Sequence, residues 1–144
     1  MPNKTYKGEM RYQAVKKLRK QDAGCEFCGF DDDKKDEVVN NYEHFWLVGN
    51  IFAYDIWDDQ GVTDHLMIVP KRHIDSIGDM SDKELLEYSN ILGVYDKLGY
   101  SIYARSYSNA IKSVVHQHTH LLKLDGKEIS FMFYNKKPYM CVKK

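Results

Sequence analysis

The spacing of apolar positions changes along the chain. Between Ser81 and Gly99, Leu85, Tyr88, Leu92 and Tyr95 recur at helical spacing, with Ile91 and Leu98 beside them. Ser81 followed three residues later by Glu84 fits a capping box, and Gly99 stands where a helix ends in a left-handed residue. The pattern predicts a helix from about Asp82 to Leu98. On either side the apolar residues fall in short β-type runs. Phe45 to Val48, Gly49-Asn50 and Ile51 to Ile56 read as a hairpin with a type I′-compatible turn. Trp57 to Asp64 reads as a loop, and Leu66 to Val69 as a short strand stopped by Pro70. Further strands are expected at Ser101 to Ser106, Ser113 to Lys123 and Ile129 to Tyr134. A turn at Lys136-Lys137-Pro138 then precedes Tyr139 to Val142. Many short strands with one long helix define an α+β class: a mainly antiparallel sheet of about five strands with the helix on one face.

The chain has 144 residues, which suits one domain. The first 24 residues form a basic extension, in which Arg11 to Lys20 reads as a short basic helix, and a solvated extension is expected rather than a phosphate-binding arm. A single domain is expected over 25–144, with Asp31 to Glu37 as a charged loop near its start. Lys plus Arg equals Asp plus Glu at 21 each, so no bulk positive field favours nucleic acid, which is an unlikely partner. No apolar run approaches the ~18 residues of a membrane span. The N-terminus carries charge without an apolar stretch, so no secretory signal is expected. Cys25 and Cys28 form a Cys-x-x-Cys pair, and Cys141 stands alone. An odd count with one tight pair does not resemble a secreted disulfide framework, and a cytoplasmic setting is expected. There the pair is a metal half-site, a redox pair or two ordinary thiols.

Three of the six histidines fall within five residues, in His116-Gln117-His118-Thr119-His120. The flanking residues are β-branched and apolar, so strand alternation puts these histidines on one face, ~6.5 to 7 Å apart. Three such residues satisfied only as core hydrogen-bonding groups would be unusual. Two chemical readings remain: a histidine metal site, or a nucleophilic histidine flanked by helpers. A neutral imidazole attacks phosphorus without first losing a proton, and its ordinary pKa near 6.5 keeps it largely neutral at pH 7.

The run His116-Gln117-His118-Thr119-His120-Leu121-Leu122 resembles the signature of the histidine-triad (HIT) nucleotide-binding family. Asp55-Ile56 followed by His65-Leu66-Met67-Ile68-Val69-Pro70-Lys71-Arg72-His73 is similar to a second block of that family. Cys25-Glu26-Phe27-Cys28 is similar to the pair that opens many of its bacterial members. The blocks occur in the family's order, about the same helix, over roughly residues 25 to 124.

The resemblance implies a hydrolase of nucleoside phosphoramidates, dinucleoside polyphosphates or similar conjugates. His118 would be the nucleophile, forming a covalent nucleotidyl-histidine that water then hydrolyses. His120 would bond phosphate oxygens, Ser113 would touch phosphate or leaving group, and His65 would support the pocket. Asp55 would accept bonds from ribose hydroxyls, while Ile56 and Phe52 would wall the base. It further implies a structural zinc on Cys25, Cys28, His73 and His116, no catalytic metal or organic cofactor, and a homodimer. Where the family's hydrolases usually carry Gly-Gln before the serine, this chain has Ile111-Lys112, and Arg105 stands at the spacing of a usual Asn, with Asn109 nearer. Lys112 and Arg105 either offer charge to phosphates or are solvated. They motivate an alternative, a nucleotide-binding regulatory module with little turnover. His120 at the third triad position, rather than Gln, favours hydrolysis over transfer.

Overall fold

A computed structural model describes residues 3–19, 24–30 and 35–129. The element order is α1 (Tyr6–Arg19), β1 (Val38–Asn41), β2 (Phe45–Gly49), β3 (Ile56–Trp57), β4 (Gln60–Pro70), α2 (Asp82–Lys97), β5 (Tyr100–Ala104) and β6 (Thr119–Glu128). The strands form one six-stranded antiparallel sheet in the order β1-β2-β4-β6-β5, with β3 pairing to β4 alone. The α+β class predicted from the sequence is the one observed. Ser130 to Tyr134, the turn at Lys136-Lys137-Pro138, Tyr139 to Val142 and Cys141 lie outside the described residues.

Helix α2 forms where its periodicity and caps predict. The Ser81 hydroxyl accepts from the Glu84 amide, and the Glu84 carboxylate accepts from the Ser81 amide at 2.7 Å. Gly99 closes the helix at φ +82°. Tyr88 and Ile91 face inward onto Phe45, Leu47, Leu66, Ile68 and Leu121, which alternation along β2, β4 and β6 places on one face of the sheet. The Tyr88 hydroxyl and Thr119 Oγ1 share a 2.7 Å hydrogen bond in that layer.

The opposite face carries Trp46, Val48, Met67 and Val69, covered by Phe30 and Phe27 from the cysteine loop. With both faces covered, β4 is buried continuously from His65 to Pro70. His65 on β4 and His120 on β6 project from this second face, because His120 pairs in register with Met67. These two histidines therefore lie across the sheet from α2.

Three local expectations are corrected. The Gly49-Asn50 turn is not a hairpin, since β2 pairs with β1 and β4, and the Asn50 amide donates instead to the His65 carbonyl at 2.9 Å. The type I′-like turn falls at Asp58-Asp59, with φ of +49° and +55°, between Ile56–Trp57 and Gln60-Gly61. The stretch read as a loop over Trp57 to Asp64 thus contains most of the first half of an 11-residue strand. Third, β6 begins at Thr119, so Ser113 to His118 approach the sheet as irregular chain. The Gln117 amide there donates to the Ile74 carbonyl at 2.7 Å, which replaces strand pairing.

Candidate active site

Each buried histidine has its proton fixed by a neighbour. His118 Nδ1 lies 2.8 Å from the His116 carbonyl, so it carries the hydrogen and donates, leaving Nε2 with a free lone pair. His65 Nδ1 accepts from the Tyr54 amide at 3.0 Å, so its proton sits on Nε2. That N–H points at His120 Nδ1, 2.9 Å away, which must accept, so His120 carries its own proton on Nε2. The Asn50 amide nitrogen is 3.1 and 3.5 Å from the two His65 nitrogens, which places it over the ring and leaves both in-plane bonds undisturbed. The His118 and His120 rings meet edge to face with centroids 5.0 Å apart, closer than the spacing of an ideal strand because His118 precedes β6. The result is an unprotonated ring nitrogen beside an N–H donor.

Electrostatics keep these rings neutral. Burial, then the Lys4 and His118 charges, pushes His65 down to about 3. Burial, followed by His118, His65, Arg105 and Lys4, pushes His120 down to about 2. Burial also lowers the pKa of His118, against the opposing pull of the His116 carbonyl.

His118 and His120 line a cavity of about 300 Å3 together with Ser113, Phe52, Tyr54 and Arg105. Of the other residues singled out in the sequence, Asp55 and Ile56 do not line it. Asp55 Oδ2 accepts from the Thr5 amide at 2.6 Å and from the Thr5 hydroxyl at 2.8 Å. Asn109 builds its own turn, with its side-chain oxygen accepting from the Ile111 amide at 3.0 Å. Lys112 is turned away: its ammonium donates to the Asp75 carbonyl at 3.0 Å and to Gln117 Oε1 at 3.2 Å. Arg105 reaches the cavity, donating to the Ile111 carbonyl at 3.0 Å and to the Tyr54 hydroxyl at 3.4 Å.

Sequence reasoning missed Lys4, Tyr12 and Tyr54, all of which line the cavity. None belongs to a motif, and only tertiary packing brings them there. Phe27 was visible between the two cysteines but carried no assigned role. Its ring packs edge-on against His118, with centroids 5.0 Å apart.

Cys25, Cys28, His73 and His116 form a second cluster, with one donor atom from each lying within 4.8 Å of all the others. Each histidine presents its Nδ1 lone pair to the sulfurs. His116 Nε2 donates to the Pro70 carbonyl at 2.9 Å, and its Nδ1 lies 3.3 Å from Cys25 Sγ and 3.6 Å from Cys28 Sγ. His73 Nδ1 lies 3.3 Å from Cys28 Sγ, while its Nε2 faces the Asp75 carboxylate at 3.4 Å. Burial and the neighbouring Cys25 push the Cys28 thiol pKa up. Two adjacent sulfurs resist ionising together without a cation between them. Two thiols and two imidazoles, with the far nitrogen of His116 bonded to the Pro70 carbonyl and that of His73 facing the Asp75 carboxylate, suit a closed tetrahedral metal site.

No family model matches the sequence, and no curated protein matches it. The fold recurs in solved structures. A member of the HIT family from Bacillus subtilis superposes with a TM-score of 0.55 at 20% identity, covering 80% of this chain and 83% of that one. A histidine triad nucleotide-binding protein from Candida albicans gives 0.53 at 20% identity, covering 83% and 87%. A HIT family hydrolase from Clostridium thermocellum gives 0.52 at 20% identity, covering 72% and 94%. At this identity the likeness establishes the fold.

Proposed function

We propose that this protein is a nucleotide hydrolase of the histidine-triad type, cleaving a nucleoside-phosphate conjugate through a covalent nucleotidyl-histidine. The observation that carries the reading is a pair of contacts, His118 Nδ1 to the His116 carbonyl at 2.8 Å and His65 Nε2 to His120 Nδ1 at 2.9 Å, which together assign a lone pair to His118 Nε2 and a proton to His120 Nε2. His118 Nε2 would attack the α-phosphorus while the bond to the leaving group breaks and its electron pair departs with that group. The His118 ring then carries positive charge, which the His116 carbonyl on its Nδ1–H stabilises. The His120 N–H would hold a phosphate oxygen as negative charge builds there. Water would next cleave the phosphorus–nitrogen bond, releasing the nucleoside monophosphate and restoring neutral His118. Ser113, which lines the cavity, would bond the phosphate or the leaving group, and Phe52 would wall the base. No catalytic metal or organic cofactor enters this chemistry. His118→Ala should lower turnover by roughly 10^4 or more with folding intact, because the nucleophile itself is lost. Retention of near wild-type rates would contradict the assignment.

Zinc is the metal that the two-sulfur, two-imidazole set suits best, and its role would be structural. Reduced thiols in that role fit a cytoplasmic setting. A homodimer is the expected assembly: β5 ends the described sheet and exposes Ile102, while Leu86, Val94 and Leu98 are exposed on or at the end of the adjacent α2. Sedimentation at a monomer mass would remove that expectation. Arg105, which lines the cavity, supports a second reading, a nucleotide-binding module with little turnover. Nucleotide affinity without monophosphate release over hours would select it.

A further inference from the structure

The basic N-terminal extension is docked onto the site. The Asn3 carbonyl accepts from the Asp55 amide at 2.9 Å and the Ile56 amide at 3.3 Å. Thr5 caps α1, accepting from the Gly8 amide at 3.2 Å, and bonds Asp55 Oδ2 through its own amide and hydroxyl. A carboxylate at a helix N-terminus also meets the positive end of the helix dipole. Gly8 allows this approach, for a Cβ there would sit 2.4 Å from an Asp55 oxygen that Thr5 already fixes. Farther along α1, the Tyr12 ring packs edge-on against Phe52 at 5.1 Å between centroids.

This docking delivers Lys4 into the cavity. Its ammonium lies 4.5 Å from the Tyr54 ring centre and 5.4 Å from that of Tyr12. Tyr54 in turn packs against His120, with centroids 5.3 Å apart, and Arg105 reaches the Tyr54 hydroxyl. Two cations from distant parts of the sequence therefore flank one aromatic ring beside the His120 donor, in a cavity whose lining also includes Glu9, Glu26 and Glu37. A chain of phosphates running from the His118–His120 pair toward Tyr54 would bring further negative charge to meet both cations.

We propose that the extension is part of the substrate site, and that Lys4, together with Arg105, makes the protein select nucleotides bearing several phosphates over those bearing one. This rests on the nucleotide-hydrolase reading and specifies its substrate class. Lys4 is a specificity-determining residue supplied by α1's leading segment, and the Thr5–Asp55 contact holds it in place.

The test compares binding of a methylene-bridged diadenosine tetraphosphate with that of adenosine monophosphate by calorimetry. Wild type should favour the tetraphosphate. Lys4→Ala should weaken tetraphosphate binding about tenfold and monophosphate binding less than about twofold, and Lys4→Arg should restore most of the difference. Gly8→Val, which pushes the extension off Asp55 without touching a cation, should reproduce the Lys4→Ala pattern. Equal losses for both ligands, or no loss for either, would overturn the proposal. Turnover is read separately with the hydrolysable tetraphosphate. Selective binding without cleavage would refute the hydrolase reading and leave Lys4's role standing, while cleavage indifferent to Lys4→Ala would do the reverse.

Discussion

His120 donates a proton into the cavity only because His65 donates to it, and His65 does so only because the Tyr54 amide occupies its other nitrogen. The two rings should therefore act as one unit. Replacing His120 with Ala should cost about 10^2-fold in kcat, the worth of one donor to developing charge. His65→Ala should cost less in the same direction. The double variant should be no slower than His120→Ala alone, since His65 acts through His120. Nitrogen-detected NMR should find His120 protonated on Nε2 in wild type and a tautomer mixture in His65→Ala. Independent, additive losses would contradict the relay. The sequence made His118 and His120 legible through their spacing. It could not supply the protonation pattern, which depends on backbone groups of Tyr54, His116 and Pro70. Lys112 was equally ambiguous there, and only its bonds to the Asp75 carbonyl and Gln117 show it turned from the cavity.

Among the elements, α2 was the most legible, because period, N-cap and terminal glycine agree in one segment. The glycine within it and the glycine that ends it should respond oppositely to substitution. Gly99 sits at φ +82° with open space around it, so Gly99→Ala meets only the backbone penalty and should destabilise the fold by about 1 kcal/mol. Gly93 is exposed within the helix and also has no neighbouring atoms where a Cβ would go. Gly93→Ala should stabilise by up to about 1 kcal/mol through helix propensity. Thermal melts of the two variants should shift in opposite directions. The β segments were harder to read. Gly49-Asn50 carries the stronger turn signal, but Asn50 is recruited to the His65 ring and carbonyl. The tight turn falls instead at Asp58-Asp59, a pair without glycine. The β-branched flank at Ser113 to Val115 read as strand, yet Lys112 and Gln117 tie that chain to the loop after β4.

At the scale of the molecule, one line of contacts joins the cluster of Cys25, Cys28, His73 and His116 to His118. His116 faces the two sulfurs with Nδ1, and its carbonyl orients His118. Purified protein should hold about one zinc per chain. Chelation, or Cys25→Ser with Cys28→Ser, should lower the melting temperature and slow turnover without abolishing it, since the proposed mechanism gives the metal no part in bond making. Acid should also act globally. His65 and His120, depressed from 6.5 to about 3 and about 2, stay neutral when folded while the unfolded chain takes up protons. Glu84, held near 2 chiefly by Arg72, likewise stays ionised as its unfolded counterpart protonates below 4.5. Each favours proton uptake by the unfolded state, so stability should fall as pH drops through 6.5 and fall more steeply below 4.5. Denaturant midpoints measured from pH 8 to pH 3 would show this, and a flat profile would contradict it.

The most direct measurement is the mass of the intact protein quenched in alkali within milliseconds of mixing with a nucleoside phosphate conjugate, since a phosphorus–nitrogen bond is labile in acid. The account predicts a species heavier by one nucleoside monophosphate residue, located at His118 and absent from His118→Ala. Steady release of monophosphate with no such adduct, or with an adduct on another residue, would contradict it.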